Sequence, residues 1–298
     1  MERSYKYKMG PGRIVFLVCA VILLILIGIA CIMPLWHVIM ASISNPTDLN
    51  VAKGLIARPL GNVDLTAYKL ILQYQKIWRG YRNTIMYCAL SCVFTGIMTV
   101  IAGYVFSRSR FFYRNAFMMI ISFTMLFNGG MIPTYMVIRK LGMVDTVWAL
   151  TIPGCLSVFN IILMRTSMQG ISDALEEAAR LDGANDFVIM FKIILPLCKA
   201  TFAVVMLFTI VGQWNSFMPA VLYLSQRDDL KPLQIELRNI LYQSTKEITS
   251  ASDVSASSVY ARAVEYAAIV VSTLPILVVY PFVQKYFVTG MTIGAVKA

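Results

Sequence analysis

Polar side chains are scarce in the apolar stretches of this 298-residue chain, so the few found there are candidates for chemistry. Asn128, Asn160, Gln213, Trp214 and Asn215 lie within or at the ends of runs built from Leu, Ile, Val, Phe and Met. In lipid such groups are costly and face a cavity or another helix. Planar amides bond pairs of sugar hydroxyls, and aromatic rings stack on the C–H faces of a sugar. Gln213-Trp214-Asn215 combines both within one helical turn. Two roles fit these residues: lining a substrate pathway, or hydrogen bonding between helices.

No catalytic or metal-binding residues are expected. The single histidine, His37, falls at the end of an apolar run and has no obvious partner for a two-His metal site or a nucleophile–base pair. It reads as an interfacial residue. Cys19, Cys31, Cys88, Cys92, Cys155 and Cys198 all fall in or beside apolar stretches without metal-ligand spacing, which fits small buried hydrophobes. No G-x-x-x-x-G-K-[ST] loop occurs, so ATP, if used, binds on another chain.

The elements that must position the amides follow from composition. Hydrophobic residues make up 58% of the chain and charged ones only 14%, against about 25% charged in soluble domains. A disordered chain, a coiled coil, a disulfide scaffold and a soluble enzyme are excluded on this balance. The net charge of +11 is scattered between apolar runs, so it suits lipid headgroups rather than nucleic acid.

Six stretches approach the roughly 20 apolar residues needed to span a bilayer: Ile14–Trp36, Thr84–Phe106, Ala116–Ile138, Val147–Met164, Leu197–Leu224 and Tyr266–Val288. The fifth is long enough to protrude, tilt or break near Trp214–Pro219. The first is too long for a signal-peptide core and lacks a small-x-small cleavage site. The expected fold is therefore an all-α membrane protein of six transmembrane helices. Four basic residues in the first 13, and Arg108, Arg110 and Arg114 in one short loop, place both termini in the cytoplasm. Residues 1–13 form a cytoplasmic segment, and 14–298 form one transmembrane domain. Amphipathic stretches around 65–74 and 233–241 fall in outer loops, where they form a docking surface or cap the bundle.

The inner loop 170–196, GISDALEEAARLDGANDFVIMFKIILP, is patterned for structure. Asp173 followed by Glu176 is a capping-box-like start. Glu176 and Glu177 suit the positive end of the helix dipole. Leu175, Ala178, Ala179 and Asp182 share a face, and Gly183 suits a left-handed cap. A second helix begins near Asn185 or Asp186, with Phe187, Met190, Phe191 and Ile194 as its apolar stripe. Pro196 fits the first turn of the following span. The loop reads as a helix–turn–helix at the inner membrane face, either a docking element with small residues outward or a plain connector.

Glu177-Ala178-Ala179, Gly183, Ile193, Leu195 and Pro196 match E-A-A-x3-G-x9-I-x-L-P. This resembles the coupling loop of permease subunits of type I bacterial ABC importers. Asn128-Gly129-Gly130-Met131-Ile132-Pro133-Thr134-Tyr135, Trp214-Asn215-Ser216-Phe217 and the C-terminal segment 290–297 are similar to the oligosaccharide-uptake branch.

The resemblance implies the type I importer permease fold in the bacterial plasma membrane, with two different permeases forming the pathway. It implies a cytoplasmic ATPase dimer that holds ATP and Mg, and an extracellular solute-binding lipoprotein that delivers an oligosaccharide. Glu176, Glu177, Ala178, Ala179, Asp182, Gly183, Leu195 and Pro196 would then couple to the ATPase. This chain would be a transport subunit, not an enzyme, surrounded by membrane lipid and binding no nucleic acid. The alternative is an ion-coupled secondary transporter, which would usually need an ionisable group at mid-membrane; none of the six spans has one. A membrane-embedded enzyme lacks any catalytic constellation here.

Overall fold

The computed structural model describes residues 10–127, 129–250 and 256–295, with side chains described through 242 and again over 259–281. Among the described residues every regular element is a helix. In chain order these are α1 (Pro11–Ser42), α2 (Pro46–Val51), α3 (Thr66–Gln73), α4 (Gln75–Ser107), α5 (Arg114–Leu126), α6 (Met131–Lys140), α7 (Trp148–Thr151) and α8 (Val158–Gln169). Then follow α9 (Asp173–Leu181), α10 (Asp186–Val188), a π-helical turn (Ile189–Ile194), α11 (Leu195–Leu197), α12 (Lys199–Asn215), α13 (Met218–Tyr223), a 3-10 turn (Asp228–Leu230), α14 (Leu233–Ser250) and α15 (Ala256–Ala295).

Among the described residues, three helices are long and apolar enough to cross a membrane: Pro11–Ser42, Gln75–Ser107 and the Val259–Pro281 part of α15. The number rises to five if α5 with α6, bent by 114°, and the segment Asp186–Leu197 with α12, bent by 87°, each make one span. The expected continuous span over Val147–Met164 is instead broken into α7 and α8. Pro153 cannot donate a helical hydrogen bond and Gly154 weakens a helix, so the chain turns there. The fifth stretch breaks between Asn215 and Met218, inside the interval expected from the sequence. It also begins at Lys199, after the bend, so Pro196 lies in the short α11 rather than in the first turn of the span.

The chain sorts into two compact units. One comprises the chain up to Gln73 with Ile240–Val271. Here α1 is apolar on every side and its membrane-length window buries nothing, as suits a helix in lipid or against another subunit. Its end is tied down: the Trp36 Nε1 donates to the Ala57 carbonyl at 2.8 Å, and Ser42 Oγ meets Tyr68 Oη at 2.7 Å. His37 Nδ1 accepts from the Ile56 amide at 2.9 Å, and its ring meets Tyr266 edge-on.

The other unit comprises Tyr74–Asn239 with the chain from Ser272 on, and α4 is its axis. Ser91, Thr95, Thr99, Gly103 and Ser107 recur every fourth residue along α4, and all five are buried. Small residues at this spacing let helices approach closely in a membrane. At Gly103 an added Cβ would lie 3.0 Å from Met164 Cβ of α8. At Gly96 it would touch Phe202 and Met206 of α12 at 3.5 Å. The N-terminal part of α4 holds the segment before α14. Asn83 Nδ2 donates to the carbonyls of Asp229 (2.7 Å) and Lys231 (3.0 Å), Tyr87 Oη donates to that of Leu230 (2.7 Å), and Thr84 Oγ1 accepts from the Leu233 amide (2.9 Å).

Candidate functional site

Two arrangements in the α4 unit bear on function. The first is a cavity of about 410 Å³ between α4, α8 and α12. Four hydroxyl residues (Ser91, Thr95, Ser157, Thr209) and two amides (Asn160, Gln213) line it, with the rings of Phe159 and Phe208. Those rings lie 6.0 Å apart at 45°. The break between α7 and α8 shapes one wall: Gly154 lies on it, and Ser157 caps α8 by accepting from the Asn160 amide at 3.4 Å. Asn160 is thereby set in the first turn of α8, 6% exposed.

Ser91 is 4% exposed, and its hydroxyl has no hydrogen-bond partner among the described residues. A buried hydroxyl left unsatisfied costs about 1–3 kcal/mol, which a ligand hydroxyl or water in the cavity would offset. Gln213 Nε2 makes only a long 3.4 Å bond to the Leu150 carbonyl, and Thr209 Oγ1 donates back to Val205 within its own helix. No lining side chain is charged. Amides, hydroxyls and ring faces in one uncharged cavity can hold a polyhydroxylated ligand.

Of the five expected pathway residues, the structure brings Asn160 and Gln213 together here. Trp214 faces elsewhere, into an apolar crevice of about 300 Å³ that it shares with Ile85, Cys88, Ala89, Pro275, Ile276 and Tyr280, among others. Its Nε1 donates to the Ser272 carbonyl at 3.2 Å. Asn215 is exposed at the end of α12, with Nδ2 on the Val211 carbonyl at 3.0 Å. Asn128 lies outside the described residues. The sequence reading missed Ser91, Thr95 and Ser157; the four-residue repeat of small residues on α4 was the available signal.

The second arrangement is the segment from α9 to α11. The helix cap lies one residue earlier than expected: Ser172, not Asp173, is the N-cap, its Oγ accepting from Ala174 N at 3.3 Å. At the other end Gly183 has φ +84°, with Ala184 N on the Ala179 carbonyl (2.9 Å) and Gly183 N on that of Arg180 (3.0 Å). This pair of bonds is the Schellman motif. Asn185 then caps the next turn, its Oδ1 accepting from Val188 N at 2.9 Å.

Ala179 and Glu176 turn inward. Ala179 packs among Val100, Tyr104, Met164, Met168 and Ile189. The expected shared face of Leu175, Ala178, Ala179 and Asp182 is therefore split, with Ala179 buried and the other three exposed. Glu177 and Gly183 are exposed with them, and Leu181 is 90% exposed. The second helix also differs from expectation: Ile189, Met190 and Ile194 are buried, while Phe187 is 68% and Phe191 40% exposed. In a π-helical turn hydrogen bonds run from i to i+5, so Ile189 and Ile194 share a face that α-helical spacing would have separated. Leu195 packs against the same core, and Pro196 is exposed just before the 87° bend into α12. Arg180 bonds Glu176 at 2.7 Å and also Asp186. The bond to Glu176, with the pairing to Asp186, holds the Arg180 guanidinium more firmly protonated than usual.

Comparison with known proteins gives these arrangements a context. Residues 93–293 match the family described as "Binding-protein-dependent transport system inner membrane component". The chain is 37% identical over 276 residues to the polygalacturonan/rhamnogalacturonan transport system permease protein YtcP of Bacillus subtilis, covering 92% of this chain and 95% of that one. It is 35% identical to the protein LplC of the same organism, covering 96% of each. Its fold matches a chain in the crystal structure of a bacterial ABC transporter involved in the import of the acidic polysaccharide alginate, with TM-score 0.83 and 31% identity over 95% of this chain and all of that one. The chain belongs to the family of binding-protein-dependent inner-membrane transport components, as an ABC importer permease rather than an enzyme.

Proposed function

We propose that this permease is one of two different transmembrane subunits that together pass an oligosaccharide from a solute-binding lipoprotein into the bacterial cytoplasm. ATP and Mg are held by a separate cytoplasmic ATPase dimer. The chain crosses the plasma membrane six times, with α7 and α8 together as the fourth crossing and both termini inside. On this reading α9 docks on the ATPase through its exposed residues Glu177, Ala178, Leu181 and Asp182, with Gly183 setting the turn. Ala179 supports α9 from behind.

The observation that carries the substrate class is the uncharged cavity in which Asn160 and Gln213 meet hydroxyls and two phenyl rings. Amides and rings are the groups that recognise sugars, and the relatives' names include several saccharide uptake systems. The gradient-driven alternative has no support from the family.

The test is uptake of a labelled oligosaccharide panel by vesicles containing this chain, its partner permease, the ATPase and the binding lipoprotein. ATP-dependent accumulation of at least one oligosaccharide is expected. The doubly substituted Asn160→Ala, Gln213→Ala complex should assemble and transport poorly. Full uptake by that variant would remove the cavity from the pathway, and accumulation without ATP would overturn the importer reading.

A further inference from the structure

Arg108 follows directly on α4 and is 5% exposed. Its Nη1 lies 3.1 Å from Asp173 Oδ1 and 3.6 Å from Glu176 Oε2, both on α9. Its Nη2 donates to the carbonyl of Met168, near the end of α8. Its Nε donates to Ser107 Oγ at 3.0 Å, and the guanidinium lies over the Tyr104 ring, 5.6 Å from its centroid. The second Asp173 oxygen accepts from Ser109 Oγ at 3.1 Å. Glu176 passes the chain of ion pairs on to Arg180, and Arg180 to Asp186 at the start of α10. One side chain thus grips the end of α4, the end of α8 and the first turn of α9.

These helices also form the cavity. Ser91 and Thr95 belong to α4 and Asn160 to α8. Thr95 stands 13 residues before Arg108, about 20 Å along a helix. At Gly103, between them, α4 and α8 are in near-backbone contact. A displacement of α9 is therefore carried into two cavity walls by the polar grip of Arg108 together with the packing of Ala179 against α4 and α8.

We infer that Arg108 is a positioning residue that couples movement of the ATPase-docking helix α9 to the walls of the substrate cavity. The inference rests on the function proposed above. Removing one partner of a buried ion pair also destabilises, so the sugar moved per ATP, and not stability, is what distinguishes this role from a structural one. A fork of five donors lets one residue bond the Met168 carbonyl and the Asp173 carboxylate while its charge lies 3.6 Å from Glu176, and lysine lacks that fork.

The experiment uses the reconstituted importer with Arg108→Met and Arg108→Lys. Assembly with the ATPase, basal hydrolysis, substrate-stimulated hydrolysis and sugar moved per ATP are measured. A wild-type complex without stimulation would count against the proposed function, not against this inference. Arg108→Met should assemble and keep basal hydrolysis while sugar moved per ATP falls about tenfold. Arg108→Lys, which keeps the charge and serves as the readout if the Met variant fails to assemble, should lose about threefold. Unchanged sugar per ATP in Arg108→Lys would overturn the inference. So would an equal fall in assembly, basal hydrolysis and uptake in whichever variants assemble, since that pattern marks a structural role alone.

Discussion

Gln213 and Trp214 are neighbours in α12 that face different surroundings: Gln213 lines the polar cavity, and Trp214 lines the apolar crevice with its indole N–H on the Ser272 carbonyl. Adjacent helical residues point about 100° apart, so one helix serves two environments. Gln213→Ala should weaken sugar uptake by about tenfold, the worth of one or two hydrogen bonds. Trp214→Phe should keep uptake and lower thermal stability by about 1 kcal/mol through the lost bond. Uptake kinetics and melting in detergent separate the two. A Trp214→Phe complex with impaired uptake and unaltered melting would reverse the assignment.

What could be read in advance was local. The caps at Asn185 and Gly183 and the break after Asn215 follow from turn chemistry within a few residues. The break at Pro153-Gly154 carried a recognisable turn signal, outweighed by the apolar run around it. The long-range facts were hidden. Asn160 and Gln213 meet only because α8 and α12 cross α4. Arg108 looked like an ordinary inner-loop cation until its partner Asp173, 65 positions away, was placed beside it. The inward turn of Ala179 and the π-helical spacing of Ile189 and Ile194 depend on what packs against them, which periodicity does not reveal.

Gly183 stands at φ +84° with open space where a side chain would begin. The penalty for substitution is therefore in the backbone, not in a clash. Gly183→Ala should cost about 1–2 kcal/mol, and Gly183→Asn less, because Asn tolerates this conformation. Coupling should follow the same order, glycine above asparagine above alanine, in substrate-stimulated ATP hydrolysis. Equal stimulation in all three proteins would show that the turn after α9 does not set the docking geometry.

Gly80 is the point where α4 meets the backbone at the start of α14. A Cβ there would fall 2.9 Å from Leu233 Cα and 3.2 Å from Leu233 N. Neither is the end of a flexible side chain, so the segment must move. Gly80→Ala should break the Leu233–Thr84 bond and destabilise the protein by about 1–3 kcal/mol, as overpacking does. Faster cleavage by protease at the exposed Gln226–Asp228 stretch is the second expected readout. Wild-type melting and wild-type cleavage together would mean that the contact is looser than the geometry implies.

Glu236 is 4% exposed on α14, and its Oε2 has no hydrogen-bond partner among the described residues. Burial pushes its carboxyl above the ordinary glutamate value, and Lys76 and Lys231 oppose this only in part. The sign follows from linkage. With the folded pKa above the unfolded one, the native state takes up its proton first as pH falls. Glu236 therefore favours folding fully below the unfolded pKa and loses that contribution as pH rises through the folded one. As pH rises, the carboxylate must ionise in a buried site where its Oε2 has no hydrogen-bond partner among the described residues. Glu236→Gln should raise the melting temperature at pH 7–8, and the gain should shrink as pH falls toward the ordinary glutamate range. Melting of both proteins in the same detergent across that range is the measurement. A gain that grows on acidification, or a loss at neutral pH, would mean that Glu236 is held ionised by its lysine neighbours.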